Sequence, residues 1–160
     1  MEEILLIRHG QSEANVGQSD DPDCDLTPLG LEQAREVGQQ LARRELSGFI
    51  ALVSPYCRAR RTADAIAEVT GLRFSVEPQI REWGKDCHID GNLYREETRE
   101  ELQQRMASFY QQIRGGKYIL VCHAAPIAAF MRVACGRPIP PEGEFWADVP
   151  NACLLRLQEH

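Results

Sequence analysis

Three apolar runs, each four or five residues long and each ending at a polar cluster, constrain this chain more than any other feature. Ile4-Leu5-Leu6-Ile7 runs into Arg8-His9-Gly10, Phe49-Ile50-Ala51-Leu52-Val53 into Ser54-Pro55, and Tyr118-Ile119-Leu120-Val121-Cys122 into His123-Ala124-Ala125. Continuous apolar runs of this length suit strands buried on both faces, which arise when helices cover both sides of a mostly parallel sheet. The segments between them carry helical signals. Thr27 is a good N-cap with Pro28 at the first helical position, and Leu31, Ala34, Gly38 and Leu41 keep a period of about 3.6. A second helix is expected from about Arg58, with Ala59, Ala63, Ile66 and Ala67 inward and Gly71 as its stop. Thr98-Arg99-Glu100-Glu101 reads as a capping box ahead of Leu102, Met106, Phe109 and Ile113, with Gly115-Gly116 closing that helix. Pro126 is expected to open a fourth helix that Gly136 caps.

The remaining segments are weaker. Residues 73–77 are a third strand candidate, and 78–95 read as a loop because Pro78, Gly84 and Gly91 break any period. Beyond the turn at Pro138, Pro140 and Pro141, residues 144–149 and 152–157 are two further strand candidates. The expected architecture is α/β: three layers, a mostly parallel sheet flanked by helices, in one domain over 1–160. In such sheets ligands bind outside the carboxyl ends of the strands, where the three polar clusters lie.

Composition narrows the partners. The chain has 160 residues, 18 Lys+Arg against 24 Asp+Glu, and a net charge of -6. That balance makes no basic field for nucleic acid or anionic lipid, so an anionic substrate must be met by a local group of arginines. No apolar run approaches the roughly 20 residues of a membrane span, and the acidic start Met1-Glu2-Glu3 is unlike a signal peptide. A cytoplasmic protein with no membrane or nucleic-acid partner is expected; the sequence says nothing of oligomeric state. Cys24, Cys57, Cys87, Cys122, Cys135 and Cys153 lie far apart with no Cys-x-x-Cys pair, and read as buried or idle thiols.

Several chemistries fail on spacing. There is no Gly-x-Gly for a dinucleotide loop, and Gly116-Lys117 has Gln111 where a P-loop needs its first glycine. The sixth residue after each Cys is Gly30, Ala63, Leu93, Ala128, Pro141 or Glu159, never the Arg of a cysteine phosphatase loop. No two histidines stand in helical zinc-ligand spacing. Asp21, Asp23, Asp25 and Glu32 mimic a calcium loop, but Leu26 stands where the turn needs Gly, so a solvated acidic loop is the reading.

What survives is a histidine at a strand end with arginine beside it. Neutral imidazole is a competent nucleophile toward phosphorus, and an ordinary pKa of about 6.5 leaves much of it neutral near pH 7. His9 is the candidate nucleophile, with Gly10 allowing close approach of backbone to a ligand. Arg8 and Arg58 are placed to hold phosphoryl oxygens through forked hydrogen bonds. His123, just before a helix N-terminus, completes the group.

At these residues the chain resembles the histidine phosphatase superfamily, the phosphoglycerate mutase-like proteins. Arg8-His9-Gly10-Gln11-Ser12-Glu13-Ala14-Asn15 looks like its opening motif, and the resemblance continues in order through Leu26-Thr27-Pro28-Leu29-Gly30-Leu31-Glu32-Gln33-Ala34, Ser54-Pro55-Tyr56-Cys57-Arg58-Ala59, Ile80-Arg81-Glu82 and Val121-Cys122-His123. The resemblance implies a phosphohistidine on His9, with Arg8, Arg58, His123 and Asn15 binding the phosphoryl group. Glu82 would protonate the leaving oxygen and then activate water. No metal and no cofactor are implied.

The chain also departs from the family. His123-Ala124-Ala125-Pro126 stands where relatives often have His-Gly-Gly, and the segment after Glu82 lacks the usual Trp-Glu-Gly spacing, which leaves Asp86 and Asp90 as alternative acids. Mutases of the family carry a longer insertion between the acid and the last histidine, enclosing the intermediate from water. With that insertion absent, the expected activity is hydrolysis of a phosphomonoester, most simply a small phosphorylated metabolite. Hydrolysis of a phosphohistidine protein and non-catalytic phosphate binding are the alternatives. Trp83, Lys85, His88 and Tyr94 are candidate pocket residues.

Overall fold

A computed structural model of the chain describes residues 2–136 and 149–158. In chain order its elements are β1 (Glu3–Arg8), α1 (Pro28–Ala42), β2 (Ile50–Val53), α2 (Cys57–Thr70), β3 (Phe74–Val76), a 3-10 turn (Pro78–Ile80), β4 (Cys87–Ile89), β5 (Asn92–Tyr94), α3 (Arg99–Ile113), β6 (Lys117–Cys122), α4 (Ala124–Ala134) and β7 (Leu154–Gln158). Five strands form one sheet in the order β3-β2-β6-β1-β7, parallel except for β7, which runs antiparallel to β1.

The period-two alternation of strand side chains divides the core. Leu5, Ile7, Ala51, Val53, Ile119 and Val121 face Val37 and Leu41 of α1 and Ala59, Ala63 and Ile66 of α2. Ile4, Leu6, Leu120 and Cys122 face Leu102, Met106 and Phe109 of α3 and Ile127 and Phe130 of α4. Ile4 through Ile7 are each fully buried, as a strand covered on both faces requires. Burial of each such side chain contributes about 1.5–3 kcal/mol, so the middle of the sheet is the part least free to move. Among the described residues no helix is long and apolar enough to cross a membrane.

Helix ends follow local chemistry. The Thr27 hydroxyl accepts from the Gly30 N–H at 3.0 Å, and Thr98 and Glu101 close a reciprocal capping box. Gly71 ends α2 in the left-handed region at φ +75°. Gly10 serves a different purpose from the one expected. A Cβ there would collide with the Gly30 carbonyl, and one on Gly30 would collide with the Gln11 carbonyl, so this pair lets α1 seat directly on the loop after β1.

Three sequence expectations need correction. First, residues 78–95 are not all loop: they hold the 3-10 turn and an antiparallel hairpin of β4 and β5. Asp90 and Gly91 both have positive φ, 53° and 80°, as a tight two-residue hairpin turn demands, and strands of three residues are too short to show a period. Second, α4 begins at Ala124 rather than at Pro126, with His123 as its N-cap and Pro126 inside the first turn, where its missing N–H costs nothing. Third, the acidic loop is not merely solvated, because an Asp23 oxygen accepts the Cys57 N–H at 2.6 Å at the start of α2. Of the strand candidate 144–149 only Val149 lies among the described residues, outside any strand, while 152–157 corresponds to β7.

Candidate active site

Strand register assembles the site. Val53 of β2 is level with Val121 of β6, and Arg8 of β1 with Cys122. The next residues therefore leave three adjacent strands at the same end of the sheet, His9 level with His123 and Ser54 one residue short of them. Backbone bonds extend the ladder to them: the Ser54 N–H donates to Val121 and the His9 N–H to Cys122, both at 3.0 Å. The rings of His9 and His123 end 5.3 Å apart, centre to centre.

His9 is 2% exposed, and its Nδ1 lies 2.7 Å from the Gly10 carbonyl. A carbonyl can only accept, so Nδ1 carries the proton and the lone pair sits on Nε2. Arg58 Nε donates to that lone pair at 3.3 Å. Burial first, then the Arg58 charge, lower the His9 pKa to about 3, which keeps the ring neutral.

His123 is fully buried. The Ser54 hydroxyl accepts from the Tyr56 N–H at 3.3 Å and lies 2.7 Å from His123 Nε2; in the tautomer where the hydroxyl donates to Nε2, the His123 proton sits on Nδ1. That Nδ1 has no hydrogen-bond partner among the described residues and lies 3.6 Å from Glu82 Oε2. Burial, with Arg58 next, holds its pKa well below the ordinary value. Tyr56 packs edge-on against the His123 ring at 5.0 Å and lies under the Arg58 guanidinium at 4.8 Å.

Three charged side chains close over the histidines. Arg58 Nη1 donates to the Pro22 carbonyl at 2.8 Å, and Nη2 stands 3.6 Å from Glu82 Oε2. Arg8 Nη1 donates to the Val149 carbonyl at 2.7 Å, while its buried Nε has no hydrogen-bond partner among the described residues. Glu82 takes the Trp83 N–H on Oε1 at 2.9 Å. Burial raises the Glu82 pKa against the opposing pull of Arg58, so the carboxyl holds a proton to higher pH than an ordinary glutamate.

The structure thus brings together Arg8, His9, Arg58, Glu82 and His123. Asn15 stands apart: it is exposed, and its side-chain oxygen accepts from Ser12. Its tie to His9 runs through Asn151, which donates to both Asn15 Oδ1 at 3.1 Å and the His9 carbonyl at 3.3 Å. The alternative acids lie elsewhere. Asp86 accepts from the Glu96 N–H and faces Arg95, and Asp90 sits in the hairpin turn. Among the described residues no group of three or more His, Cys, Asp or Glu could hold a metal ion. All six cysteines are unpaired; burial pushes the Cys122 thiol up to about 12.

The family profile of the histidine phosphatase superfamily, branch 1, matches residues 4–88. The chain belongs to this superfamily. Among relatives, it is 30% identical over 189 aligned positions to a protein of Photorhabdus laumondii named "Probable phosphoglycerate mutase GpmB", covering 98% of this chain and 85% of that one. It is 28% identical to a Hydrogenobacter thermophilus protein that carries the name phosphoserine phosphatase 2, covering 86% of this chain and 80% of the other. Solved structures agree in fold. A mycobacterial glucosyl-3-phosphoglycerate phosphatase complexed with VO3 superposes with a TM-score of 0.77 at 21% identity, over all of this chain and 92% of its own. A phosphoserine phosphatase of Entamoeba histolytica, in complex with 3-phosphoglyceric acid, gives 0.75 at 22% identity, over 98% and 90%.

Beside the histidine phosphatase cluster lies a cavity of about 470 Å³, lined by Arg8, Glu82, Trp83, Lys85, Glu97 and Ala124 among others. Trp83 and Lys85 line it as expected of pocket residues. Tyr94 instead lies under the Arg81 guanidinium at 4.9 Å, and His88 is exposed on β4. Sequence reasoning missed Tyr56, Asn151, Glu97 and Arg105. Tyr56 lay in a quoted motif; the other three act through tertiary contacts that no local pattern announces.

Proposed function

We propose that this chain, as one histidine phosphatase-like domain over 1–160, hydrolyses a small phosphomonoester through a phosphohistidine on His9. The observation that carries the reading is the juxtaposition, across one cluster, of a histidine whose Nδ1 proton is held by the Gly10 carbonyl so that its lone pair sits on Nε2, and a carboxyl, Glu82, 3.6 Å from both Arg58 and His123, whose pKa burial raises. In the first step His9 Nε2 bonds to phosphorus, the bond to the leaving oxygen breaks, and Glu82 gives that oxygen its proton. In the second, water loses a proton to Glu82 and attacks phosphorus, the phosphorus–nitrogen bond breaks, and orthophosphate leaves with His9 neutral again. Arg8, through its unpartnered Nε, Arg58 and the Nδ1–H of His123 supply donors for the charge that builds on the phosphoryl oxygens. All of these groups belong to the chain itself, and the proposal invokes no metal.

The cavity next to Glu82 is where a leaving group would sit, and its size suits a metabolite. Relatives named for phosphoserine and glucosyl-3-phosphoglycerate phosphatases support that class. The name of the Photorhabdus relative favours a mutase, yet the alignment with it spans 189 positions while taking in 98% of a 160-residue chain. That relative therefore carries residues inside the matched region that this chain lacks. Between Glu82 and His123 the chain has the β4–β5 hairpin, α3 and β6, with no further segment to close over a phosphoenzyme. A panel of nitrophenyl phosphate, phosphoserine and 3-phosphoglycerate decides the matter by product. Release of orthophosphate is expected, and formation of 2-phosphoglycerate without phosphate release would overturn the hydrolase reading.

A further inference from the structure

We propose that Arg105, acting with Glu97, is the positioning residue that sets where Glu82 delivers its proton; this rests on the hydrolase reading above. Arg105 reaches in from α3, and its side chain is 9% exposed. Its Nε and Nη2 take both oxygens of Glu97, at 2.9 and 2.7 Å. Its Nη1 donates to the carbonyls of Gln79 at 2.7 Å and Arg81 at 3.0 Å, the residues leading into Glu82. On the other side of Glu82, the Trp83 indole donates to the Glu97 carbonyl at 2.7 Å. The backbone before the acid is thus tied to the Arg105 guanidinium and the side chain after it to the backbone of Glu97, whose carboxylate also faces Arg81 Nη2 at 3.7 Å.

The sheet does not hold the acid in this way. Glu82 Oε2 lies 3.6 Å from both Arg58 Nη2 and His123 Nδ1, beyond hydrogen-bond length, and among the described residues Oε1 is bonded only to the neighbouring Trp83 N–H. Placement of the carboxyl over the histidines is therefore transmitted from α3, whose start is locked by the capping box one residue after Glu97 and whose middle is anchored by buried Leu102, Met106 and Phe109. Only a guanidinium can span the two carbonyls and a bidentate carboxylate at once; an ammonium keeps the charge and loses the fork. Trp83 also walls the leaving-group cavity, so the same strut fixes proton donor and pocket wall together.

The test compares Arg105→Lys and Glu97→Gln with the wild-type chain on nitrophenyl phosphate, whose leaving oxygen needs little protonation, and on an alkyl phosphate, whose oxygen needs it fully. In both variants kcat for the alkyl ester is expected to fall about tenfold more than for the nitrophenyl ester, and the extra loss should vanish in a Glu82→Gln background. Equal losses on both esters, or additive losses with Glu82→Gln, would show a purely structural ion pair and overturn the proposal. A second readout does not need turnover. With glutamate carboxyls labelled with carbon-13 and Glu82 assigned by its Gln variant, the Glu82 resonance is expected to move in Arg105→Lys, and an unmoved resonance would overturn the proposal. Inactive wild-type protein would refute the hydrolase reading, while the resonance would still decide the positioning claim.

Discussion

The two sides of the site are built differently. The histidine side is made of residues that directly follow adjacent strands, so its geometry is a by-product of register: once Val53, Val121, Cys122 and Arg8 pair, His9 and His123 have no freedom of position. The side of Glu82, the proposed acid, lies between a 3-10 turn and a hairpin of two three-residue strands, with Arg105 of α3 bonded to the Gln79 and Arg81 carbonyls just before it. Backbone register gives His9, the proposed nucleophile, its place, whereas on the proposal above side-chain bonds place Glu82. The strand-end side should thus fail completely when its chemistry is removed, and the acid side should fail in proportion to what the leaving group demands.

The sharpest break is His9→Ala, which is expected to reduce turnover of every ester to below about one-thousandth, measured as orthophosphate release. A residue elsewhere that kept the variant active would dissolve the comparison. Next, Glu82→Gln should cost about 100-fold on an alkyl phosphate and only a few-fold on nitrophenyl phosphate, in steady-state kcat. Similar losses on the two would move the acid role elsewhere.

A smaller effect concerns stability. The folded pKa of His9, about 3, lies below its ordinary 6.5, so between these values the unfolded chain binds a proton that the folded chain refuses. The contribution is full above pH 6.5 and is lost as the pH falls toward 3, and buried His123 acts in the same direction. Melting temperatures from pH 7 to pH 4 should fall more steeply for wild type than for His9→Ala; parallel curves would contradict a buried neutral ring. The smallest effect is Gly71→Ala, which forces a side chain to φ +75° at the end of α2 far from Arg58. It is expected to cost about 1 kcal/mol in denaturant unfolding and to leave kcat unchanged.

This asymmetry also explains what could be read in advance. Apolar runs announce buried strands, and whatever follows such a run in a parallel sheet reaches the ligand side, so Arg8, His9 and His123 were legible from local sequence alone. Caps at Thr27 and Thr98 were legible for the same local reason. Glu82 needed a family resemblance, because nothing in the 78–95 segment has a period to place it. Arg105 and Glu97 were illegible: at their positions a helical arginine and a glutamate look like solvated charges until the tertiary fold folds them inward. Gly10 was recognised for its backbone access, but the close neighbour turned out to be Gly30 of α1.

The central claim is a covalent bond between phosphorus and His9 Nε2. Rapid quenching of the protein with a phosphorus-32-labelled ester, followed by peptide mapping, tests it directly. The account predicts one acid-labile, alkali-stable phosphoryl group per chain, on the peptide containing His9, absent from His9→Ala and longer-lived in Glu82→Gln. Turnover at full rate with no such label, or a label that persists in His9→Ala, would contradict it.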